Sequence, residues 1–346
     1  MKHHQMSPAE REVFARAEFR KFRIASPEVD AAIARLESVR LSFLKTRGRL
    51  QNPLFVLGPT QAGKSTIVEC WKEGVDAQDA PATGGARILH VTCSPNSSIR
   101  SLAIDILMAL GDLAPPFETI EDAARRKKRS RMRTGDLVGV DTWAMYMALH
   151  ACGNAGVEVV VLDELHHMVM SDRAEVTRYS VAEALKRIAI AGVVGLVGVG
   201  TERLATILRA ANTKQLAMRA RPPLFLRPLD GSIPDQAKQF AQWIAAVDAK
   251  LVEHGIFPGP SHLARPEWQP CFYDVARGNL GRISRIVEEA ACAAILEGRN
   301  SVSKAHLTQA CRDWAIPFGI ADWDPWEQKP RDVGTILQSA RKEFPL

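Results

Sequence analysis

The chain has 346 residues, 46% of them hydrophobic and 24% charged, a balance that excludes wholesale disorder and allows one large core or two unequal ones. Its six cysteines (Cys70, Cys93, Cys152, Cys271, Cys292, Cys311) include no CxxC pair, which argues against a cysteine-held zinc and a disulfide framework and fits a reducing, cytoplasmic setting. No apolar run follows Met1 or approaches the ~20 residues that span a bilayer, and the net charge of +6 is mild but unevenly spread.

In chain order, residues 7–47 repeat apolar positions (Val13, Phe14, Phe19, Phe22, Ile33, Leu36, Phe43, Leu44) around a break at Ser26-Pro27, which predicts two helices in an N-terminal segment, 1–47. The texture then changes to short apolar runs: PLFVL (53–57), RILHV (87–91), VEVVVL (157–162), VVGLVGV (193–199) and PLFLRPL (223–229). Helical stretches separate them, at Lys64 to Trp71, Ile99 to Leu110, Thr142 to Cys152 and Val181 to Ala191. Alternation of this kind predicts an α/β core over 48–229 whose five strands form a parallel sheet buried on both faces. Past Pro228 the pattern is helical at 235–254, 281–297 and 303–313, which predicts a small helical domain over 230–314. The tail, 315–346, holds Trp323, Trp326 and several prolines, and reads as extended with a short helix near 332–343.

The chemistry begins where the first strand runs out. Gly58-Pro59-Thr60-Gln61-Ala62-Gly63-Lys64-Ser65 fits GxxxxGK[ST] between a strand and a helix. The glycines let backbone N–H groups turn inward on phosphates, and the helix N-terminus adds its positive dipole. Lys64 reaches the β- and γ-phosphates, Ser65 offers a hydroxyl to Mg²⁺, and Thr66 lies near the α-phosphate. The third strand delivers Asp163 and Glu164 at its C-terminal end, where open α/β sheets bind ligands. Asp163 is assigned to the metal and Glu164 to polarising the attacking water.

His166 and His167 follow at once. Adjacent histidines on a helix or turn point different ways, and no third ligand has suitable spacing for a metal with Asp163, so the reading gives them a structural role or a supporting one behind the metal's own ligands. Thr201, ending the fourth strand, is a candidate γ-phosphate or water sensor and equally a helix N-cap. Arg219 and Arg221, before the fifth strand, are placed to reach a neighbouring subunit's nucleotide, and Arg282 opens a helix of the second domain. Arg125, Arg126, Lys127, Lys128, Arg129, Arg131 and Arg133 crowd nine residues without an acid, a density that calls for an anion and is assigned to nucleic-acid phosphates.

These elements in this order resemble the AAA+ ATPases. More narrowly GPTQAGKST, VVVLDELHHM, VGVGTER, QLAMRARPPL and GNLGRISRIVEEA resemble the TniB/TnsC regulators of DNA transposition, over roughly residues 30 to 315. The resemblance implies a P-loop fold with sheet order 5-1-4-3-2 and a helical lid, ATP and Mg²⁺ bound between adjacent subunits, and ATP-dependent rings or helical filaments on double-stranded DNA. It implies target marking for a DDE transposase, with a separate target-selection protein or complex, and disassembly on hydrolysis. By position it makes Arg219 or Arg221 the finger, Arg282 the lid sensor and 125–133 part of a DNA-facing loop. A loader or remodelling ATPase with a replication or repair client is the alternative; a scaffold that hydrolyses nothing has no need of Glu164.

Overall fold

The computed structural model describes residues 6–78, 86–94, 98–111, 140–169, 174–209 and 214–343. The apolar runs become parallel strands β1 (Leu54–Leu57), β2 (Ile88–Thr92), β3 (Val159–Asp163), β4 (Gly195–Gly200) and β5 (Leu224–Phe225), in the order β2-β3-β4-β1-β5. This is the 5-1-4-3-2 sheet that the resemblance implies. The helices are α1 (Pro8–Phe19), α2 (Pro27–Thr46), α3 (Lys64–Gln78), α4 (Ile99–Ala109), α5 (Val140–Asn154), α6 (Ala174–Ala191), α7 (Ala205–Arg209), α8 (Lys214–Ala217), α9 (Pro234–Glu253), α10 (Gln269–Ala276), α11 (Leu280–Leu296), α12 (Lys304–Ala310) and α13 (Val333–Glu343). None of the described helices is long and apolar enough to cross a membrane.

The chain divides into two compact units. One, residues 27–58 and 64–226, holds the sheet. Because strand side chains alternate, Leu54, Val56, Val159, Val161, Val197 and Val199 pack on one face with Leu36 and Val39 of α2 and Ile67, Val68 and Trp71 of α3. Phe55, Leu57, Val160, Leu162 and Leu196 pack on the other with Leu102 and Ile106 of α4, Leu149 of α5 and Leu185 of α6. Burial on both faces explains why these strands read as unbroken apolar runs. The second predicted helix, α2, is part of this unit: buried Arg40 meets Glu158 beside β3 at 2.5 Å and Glu37 at 2.6 Å, and Glu37 accepts from the Trp71 indole at 2.8 Å.

The other unit comprises residues 1–26, 59–63 and 227–346. Phe240, Ile244, Val247 and Leu251 line one side of α9, and Ile283, Ile286, Val287, Ala290 and Ala294 one side of α11, at the spacing of a helical stripe. Helix α1 joins this core through Ala15, and Arg16 grips both carboxylate oxygens of Glu289 on α11 at 3.0 Å. The tail departs from the extended reading. Trp326 is 3% exposed and meets the Phe272 ring edge-on at 5.2 Å, while Arg331 binds Asp274 through its backbone N–H and its guanidinium. An indole buries too much apolar surface to be left in water when a helical core lies within reach. Helix α10, which the sequence reading did not assign, is short and starts with Pro270 in its first turn.

Candidate nucleotide-binding and hydrolysis site

The loop after β1 turns because two of its residues take left-handed backbone, Gln61 at φ 66° and Gly63 at φ 79°, while the Ala62 N–H closes on the Pro59 carbonyl at 3.2 Å. Gly63 takes that conformation without strain, which is why the pattern needs glycine there. On the sheet side, the Gly58 N–H donates to the Gly200 carbonyl at 3.2 Å. Helix α3 starts at Lys64, whose side chain is buried and whose Nζ donates to the Gly58 carbonyl at 2.9 Å. Burial lowers the Lys64 pKa, and the nearby carboxylates of Glu164, Asp163 and Glu202 oppose that shift.

Asp163 is the most heavily engaged acid of the sheet unit's site. Its Oδ2 accepts from the Ser65 hydroxyl at 2.6 Å and lies 3.0 Å from His90 Nε2, and its Oδ1 accepts from the Glu164 N–H at 2.8 Å. Burial pushes the carboxyl pKa up, but these three hydrogen bonds outweigh it and hold the group below its usual range. An ionised carboxylate beside a hydroxyl is the hard-oxygen donor set that suits Mg²⁺. The residues present therefore fit the ion, and the 98-residue separation of Ser65 and Asp163 closes as the sequence reading expects.

Glu164 differs from its neighbour. It takes left-handed backbone, φ 53°, uncommon for a residue with a Cβ and associated with functional sites. The chain then enters a 3₁₀ turn, Leu165–Val169. His166 Nδ1 lies 3.2 Å from Glu164 Oε2 without hydrogen-bond alignment, and burial holds the His166 pKa below the usual imidazole range. The two histidines, expected to point different ways, have their rings 4.5 Å apart and tilted by 46° to each other. Thr201 stands at the N-cap position of the turn Glu202–Leu204, yet its side chain makes no capping hydrogen bond. Its hydroxyl, like Glu202 Oε1, is buried without a partner.

The arginines divide. Arg221 donates from Nε to the Asn52 carbonyl at 3.2 Å, from Nη1 to Ser38 Oγ at 2.8 Å and from Nη2 to the Ser38 carbonyl at 3.3 Å. Arg219 donates from Nη1 to the Gln215 carbonyl, one turn back. In the helical unit Arg282 is buried and paired with Glu343 of α13, which also binds Arg277 at 2.7 Å. Beside it, Asn279 caps α11 and donates to the Thr60 carbonyl at 3.0 Å, and a side chain at Gly281 would overlap the Gln61 carbonyl oxygen. Arg125, Arg126, Lys127, Lys128, Arg129, Arg131 and Arg133 lie outside the described residues. Sequence reasoning missed His90 on Asp163; the signal was a polar residue inside the run RILHV. It also missed Glu343, which carries no motif.

Residues 47–208 match a family described as an AAA domain. Among solved structures, the fold is similar to the ORC2 protein of Aeropyrum pernix in ADPNP–ADP complexes, with 16% identity and a TM-score of 0.56 over 84% of this chain and 68% of that one. It is also similar to the Aeropyrum pernix ORC1 protein in complex with DNA (16%, TM-score 0.55, 84% and 66%). The Cdc6p of Pyrobaculum aerophilum gives 11% identity and a TM-score of 0.56 over 95% and 89%. No curated protein matches the sequence. The AAA domain match and the assembled site make this chain an ATPase on the P-loop AAA+ fold, which binds nucleotide and hydrolyses ATP.

Proposed function

We propose that this ATPase is a nucleotide-driven switch that assembles on double-stranded DNA and marks a target for a DDE transposase, in the manner of the TniB/TnsC regulators. The observation that carries the ATP-driven part is the joining of Lys64, Ser65 and Asp163 at the ends of β1 and β3, with Glu164 next in line. The DNA part is supported by the seven basic residues of 125–133, and the transposition part by the motifs GPTQAGKST through GNLGR. A target-selection partner and a ring or filament of identical subunits complete the reading.

In this mechanism residues Gly58 to Thr66 wrap the phosphates, and Lys64 exchanges the Gly58 carbonyl for phosphate oxygens. Ser65 and Asp163 would hold Mg²⁺, whose charge neutralises the β- and γ-phosphates. Glu164 orients and polarises the attacking water, and Thr201, its hydroxyl uncommitted, senses that water or the γ-phosphate. Arg219 is the better finger for a neighbour's nucleotide, since Arg221 is committed to Ser38 and Asn52. Arg282 would have to leave Glu343 before acting as a lid sensor.

The test is binding to a labelled duplex of random sequence with ATP, ADP or no nucleotide, for wild type and Lys64→Ala, at two salt concentrations. Binding that requires ATP, is lost in Lys64→Ala and weakens with salt is expected. Equal binding in every nucleotide state would separate DNA grip from the ATPase. The second reading, a loader or remodeller acting on a replication protein, draws on the likeness to ORC and Cdc6 folds. Absence of duplex binding in all states would favour it.

A further inference from the structure

The segment Asp163-Glu164-Leu165-His166-His167 brings a carboxylate and two imidazoles together within five residues. The His167 N–H donates to the Glu164 carbonyl at 2.9 Å, an i to i+3 bond that closes the turn between the two residues. The left-handed Glu164 then turns its carboxylate back over the turn, where its Oε2 lies 3.2 Å from His166 Nδ1. One ligand atom from each of Glu164, His166 and His167 lies within 4.8 Å of the other two. His166 is only 8% exposed, and its Nδ1 and that of His167 are buried without a hydrogen-bond partner.

We propose that Glu164, His166 and His167 form a site for a transition-metal dication of the zinc class, distinct from the Mg²⁺ pair Ser65–Asp163, and that occupancy withdraws Glu164 from hydrolysis. Two neutral imidazoles and a carboxylate, with a water in the fourth position, suit Zn²⁺, whereas Mg²⁺ prefers oxygen alone. Bonds of ~2.0 Å in a tetrahedral site set donors ~3.3 Å apart. The Glu164–His166 separation already meets that spacing, and the lack of hydrogen-bond alignment leaves both lone pairs available to a shared ion. His167 and Glu164 are partly exposed, so small side-chain rotations bring the third donor in. The inhibitory half rests on the reading of Glu164 as the water-polarising acid; the binding half does not.

The experiment counts Zn²⁺ bound by the full chain, by calorimetry in Mg²⁺ buffer without nucleotide, for wild type and His166→Asn/His167→Asn. The double variant is expected to bind one equivalent fewer. With Co²⁺ as probe, the equivalent that is lost should show d–d bands without thiolate charge transfer, which separates it from the cysteines. Should the double variant fail to fold, His167→Asn alone is expected to weaken that equivalent roughly tenfold or more. Equal stoichiometry and affinity in wild type and variants would overturn the site. In parallel, one equivalent of Zn²⁺ should suppress wild-type ATP hydrolysis and a zinc-selective chelator restore it, with the double variant resistant. Binding without suppression would overturn the inhibitory half. A wild type without ATPase activity would instead overturn the hydrolytic reading, while the metal count still decides the site.

Discussion

Two regions of this chain treat their acids in opposite ways. In the helical unit Asp274, 1% exposed, accepts from the Trp323 indole at 3.2 Å and from the Arg331 backbone N–H and Nε at 2.8 Å each. Asp248 accepts the backbone N–H groups of Ser261 at 2.9 Å and Leu263 at 3.1 Å. At the end of β3, by contrast, Glu164 has strained backbone and a misaligned neighbour in His166, and Thr201 and Glu202 carry buried oxygens without partners. Saturated acids hold the tail and loops of the helical unit in place. Under-committed ones beside a phosphate loop remain available to a ligand and to water.

That contrast is sharpest in substitution. Glu164→Gln should lower kcat by ~10²–10⁴ while leaving the unfolding midpoint nearly unchanged, as read by phosphate release at saturating ATP and by thermal unfolding. A collapse in stability would break the comparison. Asp274→Ala should do the reverse and cost about 1.5–3 kcal/mol in denaturant unfolding, because the Trp323 indole and the Arg331 backbone N–H and Nε lose their acceptor while Arg331 keeps Asp322 at 3.2 Å. Within the sheet unit, Arg221→Ala should cost about 1 kcal/mol through the lost anchors on Ser38 and Asn52. Arg219→Ala should instead spare stability and reduce turnover only in the assembled state, checked by kcat against protein concentration.

The smallest effect concerns Glu18 of α1, whose pKa is lowered by the hydrogen bond to His254 and then by Lys21. A depressed folded value means that its contribution is complete above the unfolded carboxylate value near ~4.3 and is lost as pH falls through the folded one. The unfolding midpoints of Glu18→Gln and wild type should therefore differ at pH 7 and converge as the pH is lowered through the folded value. A difference independent of pH across the acid range would assign the effect to packing rather than to charge.

The sheet and its phosphate loop were legible because both rest on local rules. Strands buried on two faces must be apolar throughout, and a loop that turns backbone N–H groups inward must carry glycine at a left-handed position such as Gly63. β5 is reduced to Leu224–Phe225 between Pro222-Pro223 and Pro228, since proline gives a sheet no N–H. Features that depend on which distant side chains meet were not legible. His90 reaches Asp163 only because β2 lies beside β3, and Glu343 reaches Arg282 only because α13 folds back within its unit. The meeting of Glu164, His166 and His167 was not legible either, because the sequence does not announce the left-handed backbone of Glu164 or the 3₁₀ turn that follows it.

The left-handed backbone of Glu164 has a consequence for how this ATPase would respond to selection or engineering. Glutamate in that conformation sits on the order of 1 kcal/mol above asparagine, whose short polar side chain can hydrogen-bond locally and so tolerates it. Glu164→Asn should therefore raise the unfolding midpoint while ending hydrolysis. A screen for thermostability alone would drift toward inactive protein at this position, and retention of glutamate there is a signature of selection for turnover rather than for the fold.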